Sequence, residues 1–199
     1  METAATPWKA IHELRRLSWS PVGRLYFAWH GVRWGAGWRI YGMPTIQRHR
    51  GSRMIIGDDF EVRNWHASNP LGVDRPCLLA TWSAEAVLEI GRGVRVSGGA
   101  ICARQRVQIG DEVTIGPNCT IADSDFHPIG LEKRLSHFAL GSTAPVIIED
   151  GAFIGMRVLI LKGSRIGRGS VVGAGSVVAG EIPAQVLAAG NPARVVRTI

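Results

Sequence analysis

The segment Asp123-Ser124-Asp125-Phe126-His127-Pro128 sets two carboxylates and an imidazole within five positions. An imidazole, with an ordinary pKa of about 6.5, can take a proton from a weak nucleophile such as a hydroxyl and pass it to a leaving group. A carboxylate or carbonyl must fix its tautomer. His127 is therefore the candidate general base, with Asp125 as its nearest carboxylate partner and Asp123 as a second. His137, further along the same stretch, is a candidate substrate contact. No metal is expected. After residue 66 only His127 and His137 remain, too few for a three-histidine zinc site, and the three cysteines form no CxxC pair.

These residues need a frame, and the flanking sequence supplies one. Ile148, Ile154, Ile160, Ile166, Val172 and Val178 recur every six residues, with Ala152, Val158, Ser164, Ser170 and Ser176 four places after the first five. A fixed six-residue period punctuated by glycine marks a parallel β-helix, each repeat forming one short flat side of a coil. Alternation along a strand sends both the large residue and the small one to the inside. Ile109, Ile115 and Ile121 extend the period upstream. Ile90, Val96 and Cys102 form a further run one residue out of step, and Ile56 and Val62 a weaker one. Residues 123–146 cannot be fitted to the period, so they are expected to loop out of one face, where repeat proteins often bind their ligands.

The 199 residues divide into an extension at 1–50, a β-helix at 51–187 carrying the loop 123–146, and a terminal segment at 188–199. Cys102 and Cys119 read as core positions, and separated cysteines suit a reducing compartment, hence the cytoplasm. The net charge of +7 is spread along the chain and marks no nucleic-acid patch. Neither a signal peptide nor a span of the ~20 apolar residues that a bilayer needs is visible. Trp8, Ile11, Leu14, Leu17 and Trp19 approximate helical spacing after Pro7, and Pro21 is expected to end that helix. Leu25, Phe27 and Trp29 then alternate towards Gly31. Five of the seven tryptophans fall in this extension among arginines. It reads either as a cap on the open end of the coil or as a segment in peripheral contact with a membrane.

The segments Ile115-Gly-Pro-Asn-Cys-Thr-Ile121, Asp123-Ser-Asp-Phe-His127-Pro128, Phe153-Ile-Gly155, Val172-Gly-Ala-Gly-Ser-Val-Val178 and Ala189-Gly-Asn-Pro-Ala-Arg194-Val-Val-Arg197 occur in that order. Together they resemble the hexapeptide-repeat acyltransferases, most closely the maltose and galactoside O-acetyltransferases and their relatives in polysaccharide synthesis. The resemblance implies a left-handed parallel β-helix, a homotrimer, and acetyl-CoA bound between neighbouring subunits. It implies His127 as the catalytic histidine. It carries acetyl-CoA contacts to Phe153, Met156, Ala174, Ala179 and Gly180, and phosphate contacts to Arg194 and Arg197, with Lys162 a further candidate.

In that family an asparagine some way before the histidine contacts the acceptor. Here the corresponding stretch, Arg95-Val-Ser97-Gly-Gly-Ala100, has none, leaving Ser97 and Asp123 as substrate candidates. The expected activity is transfer of an acetyl group to a sugar hydroxyl, on a polysaccharide or lipid-linked acceptor. An amine acceptor, as in an N-acetyltransferase, would use the same base, and a non-catalytic scaffold is the third reading.

Overall fold

The computed structural model describes residues 6–135 and 141–199. Its strands form three sheets of eight, six and six members, which the chain visits in rotation. It therefore winds as a coil with three flat faces. Face A carries Arg39–Tyr41, Glu61–Arg63, Arg95–Ser97, Thr114–Ile115, Phe153–Ile154, Val171–Val172 and Val186–Gly190. Face B carries Thr45–Arg48, Leu78–Thr81, Ala100–Ala103, Thr120–Ala122, Leu159–Ile160 and Val177–Val178. Face C carries Arg53–Ile56, Val87–Ile90, Arg106–Ile109, Val146–Ile148, Arg165–Ile166 and Glu181–Ile182.

Along the coil axis, identical positions stack. Ile154 pairs with Val172, Ile160 with Val178 and Ile166 with Ile182. All six large apolar residues of the repeat run are buried, as are Ala152, Val158, Ser164, Ser170 and Ser176. The buried serines are satisfied at the corners. The Ser170 hydroxyl donates to the Pro183 carbonyl at 2.5 Å and accepts from the Val186 amide at 3.2 Å. Such buried polar side chains need partners, and here the next coil provides them.

Four sequence expectations are corrected. The coil begins before residue 51, because Ile40 already stacks on Val62 and Ile46 on Leu79. Cys102 is not a core residue. After Val96 the corner at Gly98-Gly99 is one residue short, so Ile101 and Ala103 turn inward and Cys102 faces outward. Cys119 is buried as expected, its thiol pushed up to about 11 by burial and donating to the Gly155 carbonyl at 3.0 Å.

Pro21 does not end the helix. Helix α1 runs over Pro7–Trp29 with Pro21 inside it, and no strand forms at Leu25 to Trp29. Pro21 and Leu17, whose carbonyl loses its partner, both lie on the solvent side, where water can replace the bond. Packing holds the second half. Phe27 is fully buried, with edge-to-face contacts to Trp34 at 5.6 Å and Trp38 at 5.1 Å. Gly23 lets the helix approach so closely that an added Cβ would lie 3.1 Å from the Trp34 ring. Tyr41 donates to Glu13, tying the first half of α1 to the first coil. Burial, then this bond, push the phenol up to about 12. Helix α1 thus covers the first coil as a cap.

The last correction is at the other end. The last parallel strand, Val186–Gly190, runs past residue 187, and Ala193–Thr198 folds back antiparallel on it and extends face A.

Replacing Ser170 with Ala would leave the Pro183 carbonyl and the Val186 amide unpaired inside the coil. A loss of about 1–3 kcal/mol is expected. It should appear in urea unfolding as a lower midpoint with an unchanged slope.

Candidate active site

The coil is broken outward at two corners. Between faces A and B, residues 64–77 leave the second coil, with a short turn at His66–Ser68. Between faces B and C, the chain leaves after Thr120–Ala122 and returns at Val146–Ile148. The second excursion carries His127.

Its base is tightly held. Asp123 is fully buried, and its carboxylate accepts the backbone amides of Arg104 at 2.7 Å, Gln105 at 2.7 Å and Arg106 at 2.6 Å. Both oxygens are engaged in binding the corner of the preceding coil. Asp123 is therefore an anchor and not the substrate contact expected from sequence. Above it the two stems pair: the Asp125 amide donates to Ser142 at 3.0 Å, the Ala144 amide to Asp123 at 3.0 Å, and Ser124 bridges Thr143.

The chain then turns sharply. The His127 amide donates to the Asp125 carbonyl at 2.7 Å, closing a γ-turn centred on Phe126, whose φ is 61°. This conformation is strained for a residue with a side chain, costing about 1–3 kcal/mol. Two contacts hold it. The Phe126 amide donates to the Ser124 hydroxyl at 3.0 Å, and its ring meets Trp82 edge-to-face at 5.4 Å. Pro128 is buried beyond the turn, and the His127 side chain is left exposed.

Asp125 does not orient the imidazole within this chain. Its carboxylate accepts the Ser142 hydroxyl at 2.7 Å and pairs with Lys162 at 3.2 Å. The Ser142 hydrogen bond, with Lys162 adding to it, holds the Asp125 carboxyl below its usual range. That tie is present above the ordinary carboxyl pKa of about 3.9 and is lost as pH falls through the depressed value. Lys162 is thereby committed to the loop. Among the described residues no hydrogen bond engages the His127 ring. His137 lies outside the described residues.

The other candidates fall into two groups. Ala179 and Gly180 follow the face B strand Val177–Val178, on the same corner as the loop and Lys162. Ser97, Phe153 and Met156 lie on face A and its corner with B, where they line a groove of about 450 Å³ together with Arg95, Asn69 and Leu71. Ser97 is buried and its hydroxyl accepts Asn69 at 3.1 Å. Ala174 lies on that corner too, after Val171–Val172. Arg194 and Arg197 stand exposed on the returning strand beside face A, their guanidinium groups donating to the carbonyls of Ala193 and Thr198. One chain brings His127 together with Lys162, Ala179 and Gly180, and Ser97 with Phe153 and Met156. It holds the two groups on different edges.

Residues 145–180 match the model of the bacterial transferase hexapeptide, six repeats. The chain belongs to the hexapeptide-repeat family. A putative acetyltransferase of Saccharomyces cerevisiae is 48% identical over 94 residues, covering 47% of this chain and 46% of the relative. A probable acetyltransferase of Mycobacterium tuberculosis is 29% identical over 208 residues, covering 92% of this chain and 62% of the relative. A galactoside acetyltransferase solved in complex with coenzyme A is 33% identical with a TM-score of 0.55, covering 71% of this chain and 66% of that one. The fold is the left-handed parallel β-helix of this family. The chain spans about half the length of the first curated relatives it matches.

Sequence reasoning missed Gly141. A Cβ there would lie 2.8 Å from both the amide nitrogen and the carbonyl oxygen of His127. Gly141→Ala must therefore displace the histidine backbone while leaving the coil intact. Any turnover that depends on His127 should fall by at least about tenfold, since misplacing a catalytic group by an ångström is costly, with an unchanged thermal midpoint. Unaltered turnover would show that the loop tolerates the shift.

Proposed function

We propose that this chain is an acetyl-CoA-dependent O-acetyltransferase acting on a sugar hydroxyl in bacterial polysaccharide or glycolipid synthesis, with His127 as general base. The observation that carries this reading is the loop itself. A strained turn, pinned by a buried carboxylate and a ring contact, presents one exposed imidazole at a corner of the coil. Residues with positive φ also stand in the coil's own turns, as Asp59, Glu112 and Gln185 do, but this turn hangs off the coil, where it joins no two strands and serves to aim a side chain. The likeness to a galactoside acetyltransferase crystallised with coenzyme A supports the donor and the acceptor class.

In this mechanism the neutral imidazole of His127 accepts the acceptor's hydroxyl proton as the oxygen attacks the thioester carbonyl. The tetrahedral adduct collapses, the carbon–sulfur bond breaks, and the imidazolium returns the proton to the departing thiolate. The residues present suit the donor. Ala174 and Ala179 are small and exposed at successive corners, leaving room for a narrow pantetheine arm, with Gly180 beside Ala179. Phe153 offers an exposed ring near its acyl end. Among the described residues Arg194 and Arg197 have no carboxylate partner, so their guanidinium groups are available to phosphate oxygens.

The separation of the two groups of residues favours a closed homotrimer, in which the loop corner of one chain faces the groove of the next. Asp125, already bound to Ser142 and Lys162, then serves as a positioning residue for the loop, and the imidazole's own partner comes from the neighbouring chain or the acceptor. The proposal places the enzyme in the cytoplasm, in peripheral contact with a membrane through its N-terminal segment.

His127→Ala should lower kcat by about 10²–10⁴-fold, the usual size of a general-base contribution, with acetyl-CoA binding nearly unchanged. Thiol release measured against sugars, amino sugars and polysaccharides is the assay. Turnover above about a third of wild type, with chemistry rate-limiting, would remove His127 from this role; acetylation of amino groups alone would replace the hydroxyl acceptor.

A further inference from the structure

Helix α1 uses only one side to cap the coil. Gly23 and Phe27 are buried on that side. On the other, Ile11, Leu14, Leu17, Val22, Leu25 and Trp29 recur at intervals that keep them on one face, and every one is exposed. Leu14 is 68% exposed, Leu25 75% and Trp29 88%. A contiguous apolar face of this kind on a soluble chain marks a contact surface. No helix among the described residues is long and apolar enough to cross a membrane, which leaves contact in the plane of a surface as the membrane-bound arrangement for α1.

The charge around this face indicates what it meets. Arg15 and Arg24 border it, held over the rings of Trp65 and Trp34 at 5.7 Å in both cases. At the helix C-terminal end, Trp29, His30, Arg48 and Arg50 line a cavity of about 430 Å³, with Arg33 exposed nearby. Among the described residues none of Arg15, Arg24, Arg33, Arg48 and Arg50 makes an ion pair. Arg48 donates to the carbonyls of His30 at 3.0 Å and Ser52 at 2.7 Å, but its Nε is buried without an acceptor. Guanidinium groups without carboxylate partners, beside exposed apolar side chains, ask for a surface that is apolar inside and anionic at its rim.

We propose that this face of α1 and the adjoining arginine cavity bind an anionic phospholipid bilayer, the helix lying in the interface with its apolar residues inserted and lipid phosphates held by Arg33 and Arg50. This deepens the membrane contact of the proposed function and is independent of the transfer chemistry. Amphipathic helices with Trp and Leu on one face and arginines at the border sit at this depth. Pro21 falls on this same face, so the Leu17 carbonyl that it leaves unpaired must take its water at the headgroup level.

The full-length protein should sediment with vesicles of phosphatidylglycerol and phosphatidylcholine at low salt, and much less at high salt because the charge attraction is screened. Phosphatidylcholine alone should bind it weakly. Leu14→Asp with Leu25→Asp, and separately Arg33→Ala with Arg50→Ala, should each weaken binding by roughly tenfold or more. All four positions are exposed, so circular dichroism and turnover on a soluble acceptor should be unchanged. Loss of vesicle binding with retained turnover would then separate this interface from the active site. If wild type ignores phosphatidylglycerol vesicles at low salt, or the aspartate variant binds them equally well, the proposal fails. It also fails if that variant changes the oligomer's mass without affecting vesicle binding, because a second copy of the chain would then cover the face.

Discussion

Everything in this protein depends on parallel coils stacked in register. Each backbone strand bonds to the strand one coil away, and inward residues sit directly over their equivalents, as Ile154 over Val172 and Ile160 over Val178. A one-residue slip would turn every core residue to solvent, so the register is fixed wherever the period holds. The interior is consequently lined by buried, mostly apolar side chains. Functional groups must hang from the corners or stand on the outer faces, and the chain departs from its period at corners to supply them.

The loop after Ala122 shows how such a departure is kept precise. Three amide donors on one buried carboxylate, Asp123, fuse its base to the preceding coil. Stem pairing, the Ser142–Asp125–Lys162 chain and the Phe126–Trp82 contact then carry rigidity outward to the γ-turn before His127. Absence of a side chain at Gly141 allows the returning strand to lie against the histidine backbone. The loop thus aims the imidazole, and among the described residues no hydrogen bond engages its ring.

Much of this was legible in the sequence because a strict period leaves few alternatives. The run from Ile148 to Val178 gave the coil, its inward residues and the position of the loop. Legibility failed where the period was locally broken. One missing residue after Val96 turned Cys102 outward, and the excursion at residues 64–77 carried no spacing signal of its own. Pro21 is a stop by local preference, and tertiary packing of Gly23 and Phe27 overrides it. The chemistry of Asp123 and Asp125 could not be divided by sequence, since two nearby carboxylates look alike until burial and partners distinguish an anchor from a tie.

The central claim is that the site is assembled from the loop corner of one chain and the face A groove of another. Mixed oligomers of His127→Ala chains and Phe153→Arg chains, co-expressed with different tags and purified through both, test it most directly. Neither parent should turn over appreciably, whereas each mixed trimer should regain one intact site of about three. Turnover would then recover to roughly a third of wild type. Mixed oligomers as inactive as their parents would contradict the account, because each chain would then be using its own loop with its own groove.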